Sequence, residues 1–205
     1  DFAGDLEMVA GGDILRNGGE ILATNLKIRS LEGQLGAGAE DALLTRVERV
    51  DAQAAGAIHL TDADGVDFGR SGLRAGGPDG GGEIGLTLAG GEFGSVTGRI
   101  EHAGSGTFRL DSSGSLEVST AIVSTGAGAI EISTEEDLTV SGPLESDSGQ
   151  IELSTGSTLT LAAGLSSQSS DIVITAEEVV DGTAGEALLM EARNGRISIT
   201  AQSGI

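Results

Sequence analysis

The sequence predicts an all-β chain wound as a right-handed parallel β-helix, a three-stranded solenoid of about nine coils of about 21 to 27 residues each. Three observations predict it. Apolar-x-apolar pairs recur about every seven residues through the C-terminal half; they superimpose in sets of three at a longer step; and Gly, Ser, Thr, Asp and Glu, which make turns, fill the gaps between them.

Taken in chain order, Leu6/Met8 and Leu26/Ile28 are expected to open the first two periods. Residues 33 to 50 then form an insertion. Within it Ala39 to Val50 spaces Leu43, Val47 and Val50 at helical intervals, with Glu40 and Asp41 early and Arg46 and Arg49 late, which predicts a short helix. The next sets are Ile58, Val66 and Leu73, then Ile84, Phe93 and Ile100. From there the step tightens. Phe108 to Ile130, Leu116 to Leu138 and Ile122 to Leu144 are each 22 residues. Ile130 to Ile151 to Ile172, Leu138 to Leu159 and Leu144 to Leu165 are each 21. A second insertion, Thr183 to Glu191, precedes Ile197/Ile199, which open an incomplete last coil.

Apolar-x-apolar alternation requires a strand with one buried face. Three such strands in about 21 residues are too short to pair usefully as hairpins, but each can stack in parallel on its equivalent one coil away, about 4.8 Å distant. The preferred crossover hand makes the coil right-handed. A leucine-rich repeat has a similar period, yet carries one such strand per repeat and an Asn that has no counterpart here.

This architecture accommodates an unusual composition. The chain has 205 residues, 35 of them Gly, with four Phe and no Cys, Trp or Tyr. A narrow lumen is filled by stacked Val, Ile, Leu, Ala and Ser/Thr and needs no aromatic space-fillers. The 38% hydrophobic content exceeds that of a disordered tail despite a net charge of −21. With 32 acidic groups against ten Arg and the single Lys27, a nucleic-acid backbone would be repelled. No apolar run reaches the ~18 to 20 residues of a membrane span. Disulfides, thiolate metal sites and Cys nucleophiles are ruled out by the absence of Cys. The chain starts at Asp1 without a basic-then-apolar leader, and the expectation is that 1–205 is a single β-helix segment of a longer repeat-containing protein.

The stretch GSLEVSTAIVSTGAGAIEISTEEDLTVSGPLESDSGQIELSTGSTLTLAAG, residues 114 to 164, resembles the degenerate repeats of filamentous haemagglutinin-like exoproteins, large bacterial adhesins exported by two-partner secretion. Residues 26 to 69, with LGAGAEDALLTRVERVDAQAAGAIHLTDADGVDFG, resemble a recurring unit of giant bacterial surface adhesins. The resemblance implies secretion to the extracellular bacterial cell surface, further coils of the same chain as neighbours, and a glycan or protein receptor on a host or neighbouring cell. No binding motif of the family is present to carry over, and neither is its secretion domain.

Candidate sites follow from stacking the first strand of each coil. The middle residues of the pairs are expected to form an outward ladder: Lys27, His59, Gly85, Arg109, Glu131, Glu152, Val173 and Ser198. Arg109 and Glu131 form an opposite-charge pair. Glu131 and Glu152 approach the ~5 Å carboxylate separation of a retaining glycosidase, and are the candidate catalytic pair if the chain is a polysaccharide-degrading enzyme. No Trp or Tyr is present to stack on a sugar ring, so the plainer expectation is no catalysis. Asp62, Asp64 and Asp67 in TDADGVDFG are the calcium candidates, clustered oxygen ligands in a Gly-containing turn that lacks EF-hand spacing. No other cofactor is expected. His59 is expected outward and His102 in a turn, both as surface residues. The functional expectation is a structural and adhesive rod segment of a secreted surface protein; the alternatives are the polysaccharide-degrading enzyme and a calcium-stabilised extracellular module.

Overall fold

The computed structural model describes residues 4–63, 67–76, 82–88, 94–96, 100–185 and 187–204. Among these residues every regular element is a β-strand, and all strand pairings are parallel. They stack as a β-solenoid of about eight turns.

Three ladders run along the solenoid. The first joins Ile58, Ile84, Phe108, Ile130, Ile151, Ile172 and Ile197 in consecutive rungs. Single bridges extend it back through Leu35 to Ile14. The second joins Gly94, Leu116, Leu138, Leu159 and Val179. The third joins Met8, Ile28, Ala52, Leu73, Ile100, Ile122, Leu144, Leu165 and Met190. Every register derived from the 21- and 22-residue steps between Phe108 and Ile172 is observed.

Burial explains why the pattern holds. Strand Ile130–Thr134 alternates buried and half-buried residues, so Ile130, Ile132 and Thr134 face the lumen while Glu131 and Ser133 face out. Ile130, Ile151, Ile172, Leu138, Leu159, Leu144 and Leu165 are all completely buried. Each such side chain contributes about 1.5 to 3 kcal/mol relative to leaving it in water. Among the described residues Phe108 is the largest that is fully buried, and its neighbours in the ladder are Ile84 and Ile130.

The N-terminal coils differ from the expectation. Leu26/Ile28 and Leu6/Met8 do not open first-ladder strands. Leu26 and Ile28 pair with Val50 and Ala52, and Leu6 and Met8 pair with Leu26 and Ile28, all in the third ladder. Leu35 and Ile14 hold the corresponding first-ladder positions. Nine rungs from Ile14 to Ile197 therefore enclose eight turns, in place of nine coils. The predicted helix is also absent: Leu43–Ala54 is one 12-residue strand. Its buried positions are Leu43, Thr45 and Val47, then Val50, Ala52 and Ala54. The alternation slips by one residue at Glu48–Arg49, where the strand passes from one part of the wall to the next. That slip places Leu43, Val47 and Val50 at intervals of four and three, which mimic a helical stripe. In the second ladder Gly94 pairs with Leu116. Val66 and Phe93 lie outside the described residues.

A corner of the solenoid relies on stacked glycines. A Cβ on Gly82 would lie 2.8 Å from the carbonyl oxygen of Gly56. At Gly128 and Gly149 it would press still harder, on the carbonyl oxygens of Gly106 and Gly128 respectively. Side-chain hydroxyls at the inward end of the preceding strand complete this corner. Gly33 N donates to Ser30 Oγ at 3.0 Å, Gly149 N to Ser146 Oγ at 2.9 Å and Ser170 N to Ser167 Oγ at 3.1 Å. The Oγ–H groups of Ser30 and Ser167 donate to Gly12 and Gly149 carbonyls one coil earlier. Thus a serine three residues before the turn Gly or Ser caps the turn and ties it to its neighbour, satisfying backbone groups that the stacked coils shield from water.

Candidate functional site

The outward ladder of the first sheet is present from His59 onward. His59, Gly85, Arg109, Glu131, Glu152, Val173 and Ser198 occupy successive rungs. Lys27 is not part of it. It stands between Glu7 and Asp51 in the third ladder and makes a 3.0 Å ion pair with Glu7.

Around Arg109 the ladder forms a shallow charged groove of about 260 Å³, lined by Asp111, Glu131, Ser133, Glu152 and Ser154. Arg109 Nε donates to Asp111 Oδ2 at 2.7 Å, and Nη1 lies 3.6 Å from Glu131 Oε2. The hydrogen bond and charge of Asp111 push the Arg109 guanidinium above its ordinary range. Glu131 and Glu152 are register partners, so their backbones sit one rung, about 4.8 Å, apart. The geometry therefore brings the carboxylate pair together. It also places Arg109 against one member, on an open sheet surface where both side chains meet solvent.

The calcium candidates have separate surroundings. Asp62 is completely buried at the inward end of strand Ile58–Asp62, where Thr45 Oγ1 donates to its Oδ2 at 2.8 Å. Asp67 Oδ2 lies 3.6 Å from Arg49 Nη2. Asp64 lies outside the described residues. Among the described residues no group of three or more His, Cys, Asp or Glu is placed to hold a metal ion.

Both histidines depart from the surface expectation. His59 is 7% exposed, because its ring lies over Gly85, where a Cβ would come within 2.8 Å of Nδ1, and the Gly36–Ala42 segment folds beside it. His102 is completely buried. It occupies an inward third-ladder position between Ala75 and Ser124 in strand Ile100–Ala103, not a turn. Its Nδ1 lies 3.1 Å from Ser124 Oγ, and Nε2 contacts the Gly82 carbonyl. Burial pushes the imidazole below its ordinary value, and the Gly82 contact and the Glu83 charge oppose that shift. Ser124 and His102 resemble part of a nucleophile-base pair, but both are enclosed in the lumen, and their partners are turn carbonyls. Their role is to cap Gly82 and Gly128. The sequence signal for this was available: His102 is 22 residues before Ser124 and 44 before Ser146, all at the inward end of equivalent strands.

The fold and its surface define the chain as a parallel β-solenoid with charged outward ladders. Comparisons with protein-family models, curated proteins and solved structures return no match.

Proposed function

We infer that the chain is a structural and adhesive rod segment of a secreted bacterial surface protein, and that its outward ladders carry the contact surface. The observation that carries this reading is the unbroken parallel register from Phe108 through Ile172. It repeats the same outward position every rung along one axis, as in Arg109, Glu131 and Glu152. Parallel backbone ladders give stiffness, since each coil is bonded to both neighbours. Quasi-one-dimensional stacking also lets a chain that emerges unfolded gain structure coil by coil. The absence of Cys and the charge of −21 fit such a route and keep a long β-surface soluble.

The test is binding of the purified chain to an array of cell-surface glycans and matrix proteins. Saturable retention on a defined subset, without cleavage of the bound material, supports the adhesive rod. Absence of retention on every surface removes the adhesive part. Release of reducing ends from a polysaccharide, lost in the Glu131→Gln/Glu152→Gln double variant, would establish the enzymatic alternative that the adjacent carboxylates favour.

A further inference from the structure

A second groove, remote from Arg109, lies where the third sheet turns toward the next coil. It encloses about 590 Å³ and is lined by Arg29, Leu31, Gln53, Ala55, Arg74 and Gly76, among others. Its size falls in the range of small-molecule sites. The register explains its charge. Arg29 pairs with Val9 on one side and Gln53 on the other, and Gln53 pairs with Arg74, so the backbones of two arginines stand two rungs, about 10 Å, apart with a glutamine between them.

Arg29 is unusual in a chain with 32 acidic groups. Its Nε is buried and has no hydrogen-bond partner, and among the described residues no carboxylate makes an ion pair with it. Among the described residues six other cations do have such a partner: Lys27, Arg46, Arg49, Arg74, Arg109 and Arg193 each face one. A buried guanidinium N–H without an acceptor is costly. The enclosed Nε is itself out of reach of a bound molecule, which would meet the terminal N–H groups of the same side chain where it lines the groove. Arg74 is engaged by Glu101 at 3.7 Å, so Arg29, Arg74 and Glu101 together carry one net positive charge. A single carboxylate neutralises it. A phosphate dianion would exceed it and meet the repulsion of the acidic molecule.

We propose that this groove binds a saccharide carrying one carboxylate, a uronic-acid type of sugar, with the carboxylate on Arg29. The guanidinium fork matches a planar carboxylate with two parallel hydrogen bonds. The Gln53 amide and the outer N–H groups of Arg74 are placed to meet ring hydroxyls, and the half-exposed Leu31 with Ala55 meets the apolar face of the ring. Among the described residues the lining contains no aromatic side chain, so recognition rests on these polar contacts. The proposal deepens the adhesive reading and rests on it, although a rod can adhere without this groove.

The test is calorimetric titration of the full chain with a glucuronic-acid disaccharide, its methyl ester, inorganic phosphate and a short peptide with a free C-terminal carboxylate. The expected result is saturable binding of the acid, at least tenfold weaker binding of the ester, and at least tenfold loss in Arg29→Gln. Arg29→Lys is expected to recover only part, because an ammonium lacks the fork. Arg193→Gln, at the other end of the solenoid, should bind as the parent does. Melting temperatures of all variants check that the fold is kept. The proposal is overturned if the acid does not bind, if ester and acid bind alike, if Arg29→Gln binds unchanged, or if phosphate or the peptide binds as tightly as the acid. Failure here together with retention of other glycans on the array would remove this groove and leave the adhesive reading standing.

Discussion

The Nδ1 atom of His102 lies 3.1 Å from Ser124 Oγ, inside a lumen lined mostly by aliphatic and hydroxyl side chains. In the neutral ring Nε2–H donates to the Gly82 carbonyl, a tautomer assigned from that partner, while the one Ser124 hydrogen is shared between Nδ1 and the Gly128 carbonyl. Stability is expected to depend on pH through this residue. In the unfolded chain the imidazole takes up a proton near its ordinary value of 6.5, while burial holds the folded value lower. Below about pH 6.5 the unfolded state binds more protons, so stability falls as pH drops, until the folded imidazole itself titrates; above that pH the effect vanishes. Thermal melts of parent and His102→Gln between pH 7.5 and 5 should diverge in slope, the parent losing stability more steeply toward acid. Parallel slopes would show that His102 does not titrate differently in the two states.

At still lower pH a separate group takes over. Hydrogen bonds from Ser157 and the Thr158 backbone hold the Asp137 carboxyl below its ordinary value. Its contribution is present above the ordinary carboxylate range and is lost as pH falls through the lowered one. Asp137→Asn should flatten the melt profile only below about pH 4, leaving the window of His102 untouched.

Ile130 stacks between Phe108 and Ile151 with no exposure to solvent. Ile130→Ala is expected to cost about 2 to 5 kcal/mol in chemical denaturation, through lost burial and the cavity left between two rungs. Val123, which faces outward one strand earlier and is half-buried, should cost under about 1 kcal/mol on change to Ala. Equal losses at both positions would contradict the inward-outward assignment.

Gly149→Ala is expected to destabilise by at least about 2 kcal/mol, because the new methyl group meets the Gly128 backbone and not a side chain that could turn away. Ser146→Ala, which leaves the Gly149 N–H without its acceptor, should cost about 1 to 3 kcal/mol. Denaturation of the two single variants and the double variant checks this; a double loss smaller than the sum would show that hydroxyl and glycine act on the same turn.

The Arg109–Glu131 pair is solvent-facing, with side chains 56% and 38% exposed. Arg109→Ala should therefore cost only about 0.2 to 1 kcal/mol, and the loss should shrink in high salt. A loss that persists unchanged at 1 M salt would point to packing by the arginine stem instead.

The regular part of the fold was legible because its period is nearly constant. Ile130, Ile151 and Ile172 repeat every 21 residues, so one register fixes the others, and the partners of Glu131 and Glu152 follow from spacing alone. The N-terminal coils were not legible in this way. There the strands are longer, as in Leu43–Ala54 and Ile21–Ser30, and each contains a slip in its inward alternation that a fixed-period reading carries into the wrong ladder. His102 was misplaced for a different reason. The sequence pattern points Ser and Thr into the lumen but His outward, whereas a narrow lumen bounded by turn carbonyls also accepts one imidazole. The Arg29 groove was invisible because Arg29 and Arg74 are 45 residues apart and meet only through two registers, one of them irregular.

The glycine corner has a practical meaning for the length of the chain. Successive coils touch there backbone to backbone, so that corner has no room for added residues. Length varies elsewhere, after Gly36 and after Gly182, whose N–H groups still donate to Ile14 and Leu161 of the preceding coil; the chain is back in register at Leu43 opposite Leu60 and at Met190 opposite Leu165. These two excursions are the ports through which a foreign peptide could be spliced into the solenoid and displayed without disturbing its winding.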